Sequence, residues 1–493
     1  MKVSTCLLFL ALVVGRSLHA DVTLPAIFGD HMVLQQGSVL PIWGKASPGE
    51  RVVVTFGGES AQSVAASDGS WRVLLHPIPA TRKSMTLLVE GRNHLKIDDV
   101  MVGDVWICAG EGNMEFPLSD AVGGKELPGD TADPYLHFFL AENSSTGDEV
   151  GAGHWVLCTP ESAPSFSAVG YFFARDLRNV CQRPIGMIQC TAKDAPIQSW
   201  ISPQGLSAAP SVSKEGEKPA SALRDQKSPS ALFNAMIAPL IPYAMTGVIW
   251  YQGESDEGMA SLQYRRFFSR LIRDWRNHWK AGPQPFYFVL PAGFGDEDGP
   301  VVEPFAGDSH QPSRALPWLR EGAACALTLP NTGMACATDL GLADDRYPPD
   351  KLDVGRRLAL LARKRAYGED VVDSGPTFDS MRIEGSRMRV KFSHLGSGLI
   401  LGASPFQREE VAPSISTRLS GFALAGANRK WFPANAVIEK DSVLLSSDAV
   451  MHPVAVRYNW QGFPKGNLYN REGLPAPPFR TDETQPDEFP KDR

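Results

Sequence analysis

Between Val100 and Gly368 the chain alternates short apolar, β-prone runs with long amphipathic ones, and few folds accept that pattern. Val105 to Cys108, Ile185 to Gln189, Thr246 to Tyr251 and Phe286 to Leu290 are almost wholly apolar. Such runs suit strands of a parallel sheet buried on both faces. Val169 to Val180, Ser261 to Lys280 and Lys351 to Tyr367 carry the helical period. In the second of these, Phe267, Phe268, Leu271, Ile272, Trp275 and Trp279 share one stripe, with Arg265, Arg266, Arg270 and Arg273 largely off it. An aromatic stripe at helical spacing reads as core sooner than as a ligand platform. The alternation predicts an α/β sheet covered by helices on both faces.

The flanks carry strand signals alone. Val39 to Trp43, Arg51 to Phe56, Trp71 to Leu75 and Met85 to Val89 are short β-prone runs separated by turn formers such as Ser47-Pro48-Gly49 and Asp68-Gly69. Met388 to Phe392, Ala436 to Glu439, Ser442 to Ser446 and Val454 to Tyr458 repeat the pattern near the other end. Each flank predicts a small β-sandwich. The expected order is a β domain over 21–99, the α/β domain over 100–370 and a second β domain over 371–482. A polar tail, 483–493, is expected to be disordered. A length of 493 residues fits several domains.

Residues 1–20 read as an export signal. Lys2 supplies a charged start, Cys6 to Val14 a short apolar run, and Leu18-His19-Ala20 a small-residue cleavage site. The run is too short to span a membrane, and no second one follows. A secreted or periplasmic protein is expected. Asn143-Ser144-Ser145 fits a glycosylation sequon. Cleavage leaves Cys108, Cys158, Cys181, Cys190, Cys325 and Cys336, scattered rather than clustered. Cys325 with Cys336 is a local candidate bridge, while most of the six read as small buried apolar residues. A net charge of -7 argues against nucleic-acid and anionic-membrane partners. No phosphate loop, His-Glu-x-x-His metal motif or Gly-x-Ser-x-Gly elbow occurs, so no metal or cofactor is expected.

Four segments carry more specific information. Asp104 to Leu118 runs from an apolar strand into the turn Gly110-Glu111-Gly112-Asn113-Met114. Leu24 to Gln35, Trp250-Tyr251-Gln252-Gly253-Glu254-Ser255-Asp256, and Asn467 to Pro475 with Pro478 to Asp482 are long idiosyncratic strings. Together they resemble the sialate O-acetylesterase family across almost the whole chain after residue 20. The resemblance implies an SGNH-hydrolase-like three-layer α/β/α domain between β domains, and an acetylated carbohydrate or glycan as ligand.

The site that the resemblance implies is altered. The family turn reads Gly-Gln-Ser-Asn-Met, so Gly112 stands at the nucleophilic serine. The family base lies in an Asp-x-His-Pro segment, matched here by Asp345-Arg346-Tyr347-Pro348; Tyr347 stands at the histidine and Asp345 keeps the carboxylate. Lys193 and Asp194 stand where the oxyanion segment has glycines, whereas Asn113 and Gln252 keep the polar pocket. Acyl transfer requires a nucleophile, a base oriented by a carboxylate, and oxyanion donors. A tyrosine is a poor general base at neutral pH. The expectation is a family member without turnover that retains a carbohydrate-binding cleft. The alternative is a rebuilt hydrolase in which Glu111 or Asp345 activates water. A third reading is an interaction module working through its β domains. Trp106, Trp200, Trp250 and Tyr251 could stack on sugar rings, although tryptophans on strands are more often core. Cys108 is expected to face the core, and His31, His278 and His310 have no motif-level claim on the pocket.

Overall fold

The computed structural model describes residues 21–124, 132–142, 151–207, 227–257, 259, 261–295, 315–402 and 418–483. Residues 1–20, the sequon at 143–145, His310 and all but the first residue of the expected tail lie outside that set.

The central sheet is built from β1 (His94–Gly110), β2 (Asp133–Ala141), β3 (Gly153–Cys158), β4 (Ile185–Thr191), β5 (Gly247–Tyr251), β6 (Phe286–Leu290) and β7 (Thr332–Cys336). Their spatial order is β7-β6-β5-β1-β4-β2-β3. Neighbours pair in parallel except β2 with β3, so β3 is an antiparallel edge. Residues along each strand alternate between two cores. Trp106, Cys108, Ile249, Tyr251, Tyr287 and Val289 face helices α2 (Ala168–Cys181) and α5 (Lys351–Arg365). Ile107, Ala109, Val248, Trp250, Phe286 and Phe288 face α3 (Ser261–Trp279) and α4 (Leu316–Ala324). This is the period-two geometry of strands covered on both sides. The aromatic stripe of α3 packs into the second core, with Phe268, Leu271, Ile272, Trp275 and Trp279 buried. Each such side chain contributes about 1.5–3 kcal/mol by leaving water.

Helix boundaries follow local chemistry. Ser167 caps α2 by accepting from the Gly170 N–H at 3.1 Å, and Gln182 closes it in the left-handed region at φ 55°. Asp350 caps α5 by accepting from the Asp353 N–H at 3.1 Å.

The N-terminal region pairs Leu40–Lys45 with Ser70–Leu75 in one small sheet. Arg51–Phe56, Glu59–Val64 and Thr81–Glu90 pair onward to β1. The expected boundary at 99/100 therefore falls inside one 17-residue strand. Its first half is half-exposed and its second half is buried throughout, so a single strand serves both the β layer and the central sheet. Among its described residues the C-terminal region holds two four-stranded sheets and a two-stranded pair. Its core is Met388, Val390, Phe422, Leu424, Val443, Leu445, Val456 and Tyr458 with their neighbours.

The C-terminal region is joined to the central domain through buried charge. The Arg320 guanidinium on α4 is 1% exposed. It donates to four backbone carbonyls: Pro291 at 3.0 Å, Ala292 at 2.7 Å, Gln461 at 2.8 Å and Gly462 at 2.9 Å. Arg480 pairs with Glu321 at 2.8 Å and lies over the Trp318 ring. Asp339 binds Arg357 through both oxygens and accepts from the Tyr469 hydroxyl at 3.0 Å.

The candidate Cys325–Cys336 bridge does not form: none of the six described cysteines is joined in a disulfide. The Cys336 sulfur lies 3.2 Å from the Thr338 hydroxyl at the end of β7, and Cys325 sits in the helical turn that follows α4. Cys108 faces the core as expected, and burial pushes its thiol up to about 12.

Candidate functional site

Strands β1, β4 and β5 end side by side, with Gly110 in register with Thr191 and Tyr251. The segments 111–115, 192–200 and 252–257 follow those ends directly. In open α/β sheets the crevice outside the carboxyl ends of the strands is where ligands bind. Gly110 has φ 149°, and a Cβ there would lie 2.0 Å from the Tyr251 carbonyl, so only glycine lets β1 turn this close to β5. The chain then forms one helical turn, α1 (Gly112–Glu115).

Beneath α1 lies a buried polar cluster. Glu111 is fully buried, and its Oε1 accepts from the Gly253 and Ser255 N–H groups, both at 2.9 Å. Asn113 donates to the Glu254 carboxylate and to the Arg346 carbonyl, the latter at 3.1 Å. The Asn113 oxygen accepts from the Lys351 ammonium, which also donates to the Pro348 carbonyl at 2.6 Å. Gln252 donates to Asp256 at 2.6 Å and accepts from the Tyr264 hydroxyl at 3.0 Å. Asp256 in turn holds the Ile197 N–H at 2.8 Å, anchoring the segment after β4. Asn113 and Gln252, expected as pocket residues, are thus committed to internal partners.

The electrostatics of this cluster follow from burial. Glu254 is held well above the ordinary carboxylate range, first by burial, then by the charge of Glu111 and a hydrogen bond with it. Among the described residues, the second oxygen of each of these two buried carboxyls accepts no N–H or O–H donor. Burial lifts Asp256 and Glu257 to about 7, the latter against the pull of Arg346. Burial lowers Lys351 to about 7, opposed by the charges of Glu254, Asp345 and Asp350.

Above α1 sits Tyr347. A Cβ built on Gly112 would lie 2.3 Å from its Cε1, 2.9 Å from Cζ and 3.1 Å from Cδ1. The ring therefore occupies the volume that any side chain at 112 would need. The Tyr347 N–H donates to Asp345 at 2.7 Å. Exposed Lys193 places its ammonium 4.9 Å from the ring centroid. Asp194, also exposed, takes the left-handed conformation at φ 58°, a geometry that favours glycine. Burial, then the charges of Glu254, Asp194 and Glu111, push the Tyr347 phenol up, so it stays neutral.

The structure brings Glu111, Gly112, Asn113, Lys193, Asp345 and Tyr347 together, with Gln252 one layer below. Trp106, Trp200, Trp250 and Tyr251 are at most 1% exposed and cannot stack on a ligand. Instead Trp250 packs edge-on against Trp200 and Trp275. His31 pairs with Asp99 and His278 with Asp274. Sequence reasoning missed Lys351 and Arg346. Both flank the Tyr347-Pro348 pair closely enough to have been flagged, but a lysine at a helix start reads as a solvated charge. Among the described residues no group of His, Cys, Asp and Glu could hold a metal ion, and no helix is long and apolar enough to cross a membrane.

A parallel-centred sheet covered on both faces, with its candidate site at the carboxyl strand ends and β layers on either side, is an SGNH-like three-layer α/β/α architecture. The family model "Carbohydrate esterase, sialic acid-specific acetylesterase" matches residues 102–359, more than half of the chain, and the chain belongs to that family. It is 29% identical to the sialate O-acetylesterase of Homo sapiens, over 94% of this chain and 93% of that one, and 28% identical to that of Pongo abelii over the same shares. A crystal structure of a carbohydrate acetylesterase from Xanthomonas citri superposes with a TM-score of 0.82 at 35% identity, covering 94% of this chain and 100% of that one.

Proposed function

We propose that this protein is an exported member of the acetylesterase family that has lost ester turnover and keeps a carbohydrate-binding cleft. The observation that carries the reading is the contact between Gly112 and Tyr347. The motif alignment puts the nucleophile at 112 and the base at 347. Glycine offers no oxygen, and the neutral phenol fills the space a serine would use. Loss of the serine or histidine of a catalytic triad costs on the order of 10^6 in kcat in a measured protease, and such losses do not add. The internal bonding of Asn113 supports the same conclusion, because a donor already satisfied by Glu254 and Arg346 is not poised for an oxyanion.

The geometry gives the rebuilt-hydrolase reading little to work with. Glu111 is sealed from solvent, with one oxygen held by two backbone N–H groups. Asp345 spends an oxygen on the Tyr347 backbone. The test is hydrolysis of a chromogenic acetate and an acetylated sugar by the purified protein, beside a Gly112→Ser, Tyr347→His double variant. Wild-type protein is expected to match the buffer blank. Turnover abolished by Glu111→Gln or Asp345→Asn would refute the proposal and establish a rebuilt hydrolase. Export through residues 1–20 is checked by sequencing the N-terminus of the mature protein, expected near Asp21.

A further inference from the structure

We propose that the site over Gly112 takes the de-O-acetylated form of its carbohydrate ligand and excludes the acetyl ester, with Tyr347 as the excluding residue. The inference rests on the binding reading above and narrows the ligand that the family resemblance implies.

The argument is one of volume. In a working esterase the acyl carbon must approach the nucleophile to within about 3–3.5 Å. The space directly over the first residue of α1 must then be open to an acetyl group. Here Cε1, Cζ and Cδ1 of Tyr347 lie 2.3, 2.9 and 3.1 Å from the point where a Cβ at 112 would stand. An acetyl group seated over α1 would coincide with the ring.

The ring is held from several directions. The Asp345 carboxylate fixes its backbone at 2.7 Å, the Lys193 ammonium lies 4.9 Å from its centroid, and the next residue, Pro348, is buried with its carbonyl on Lys351 at 2.6 Å. Retreat of the ring would disturb these contacts together. The exposed groups around the blocked slot are Lys193, Asp194 and Glu115, with the half-buried neutral phenol of Tyr347. These are donors and acceptors suited to sugar hydroxyls. Acetylation removes a hydroxyl donor and adds bulk where the ring stands. Sites that hydrogen-bond a hydroxyl discriminate strongly against analogues lacking it.

The experiment uses the full secreted chain on a glycan array printed in matched O-acetylated and base-saponified forms. Wild-type protein is expected to retain one or more saponified glycans at least about ten-fold better than their acetylated partners. Tyr347→Phe keeps the ring and should keep that ratio. Tyr347→Ala opens the slot and should bring the ratio to near one. Equal or better wild-type retention of the acetylated forms overturns this inference and leaves the binding reading standing. Full discrimination by Tyr347→Ala also overturns it, because the exclusion would then lie elsewhere. Retention of neither form overturns both this inference and the binding reading.

Discussion

Restoring a side chain at position 112 tests how tightly Gly112 and Tyr347 depend on each other. In Gly112→Ser the new Cβ begins 2.3 Å from Tyr347 Cε1, whereas carbon atoms settle at about 3.5–4.0 Å. The ring must retreat by more than about 1 Å. Overpacking of this kind costs about 1–3 kcal/mol. Displacing the ring from Lys193 forfeits about 0.5–1 kcal/mol more at an exposed site. Against this, serine is a better helix residue than glycine by a few tenths of a kcal/mol. The expected net cost of Gly112→Ser is about 1–3 kcal/mol. In a Tyr347→Ala background the same substitution meets no ring and should be neutral or slightly stabilising. The two positions should therefore couple by at least about 1 kcal/mol, where independent sites add to within about 0.3–0.5 kcal/mol. The assay is urea unfolding of the four proteins of the cycle, followed by the fluorescence of Trp106, Trp200, Trp250 and Trp275 in the central layers. Additive single changes would refute the claim that the ring fills the nucleophile's volume.

Two further outcomes are expected. Asp256 has a folded pKa of about 7, raised by burial from 3.8. The folded state therefore holds a proton that the unfolded chain releases, and stability from this group is full below about pH 4 and falls as pH rises to about 7. Asp256→Asn, which can still accept from Ile197 and Gln252, should gain on wild type by on the order of 2–4 kcal/mol between pH 4 and pH 7. Thermal melts across that range read the gain, and a pH-independent difference would contradict the assignment. Arg320→Met should cost about 3–5 kcal/mol by stripping four carbonyls, those of Pro291, Ala292 and Gly462 buried, of their donor. Calorimetry should show the C-terminal domain melting apart from the rest, and a single unchanged transition would show that the seam holds without it.

Much of the fold could be read from apolar periodicity, because runs such as Ile185 to Ile188 and Phe286 to Leu290 are buried on both faces and carry no charged residue to confuse the signal. The shared strand β1 was harder. Its pattern switches from alternation to unbroken burial within His94–Gly110, and a change of period looks like a change of element. Strand β2 escaped notice because Asp133 and His137 interrupt it, although His137 is fully buried. Helix α4 spans only nine residues, Leu316–Ala324, and contains Gly322, a poor helix former. At the site, the positions were legible and their environments were not. Glu111 beside a reactive turn reads as a potential base, yet the fold seals it beneath two backbone N–H groups. Lys351 at a helix start reads as solvated, yet it is fully buried against Asn113. Which polar residues point inward depends on how β1, β4 and β5 end together, and that is set by packing across more than a hundred residues of chain.

The hold of Arg320 on the C-terminal domain has a consequence for how such a protein can change over time. All four of its acceptors are main-chain oxygens, two from residues 291 and 292 and two from 461 and 462. Any amino acid supplies that oxygen, so mutations at those four positions leave the joint's chemistry intact as long as the backbone path is kept. A bond addressed to the peptide rather than to side chains is insulated from genetic drift on the receiving side. The C-terminal domain can thus accumulate substitutions at these four positions, and acquire new surfaces beside them, while this part of the joint is kept; the Arg480–Glu321 pair and the Tyr469–Asp339 bond, which depend on side chains at both ends, lack that insulation.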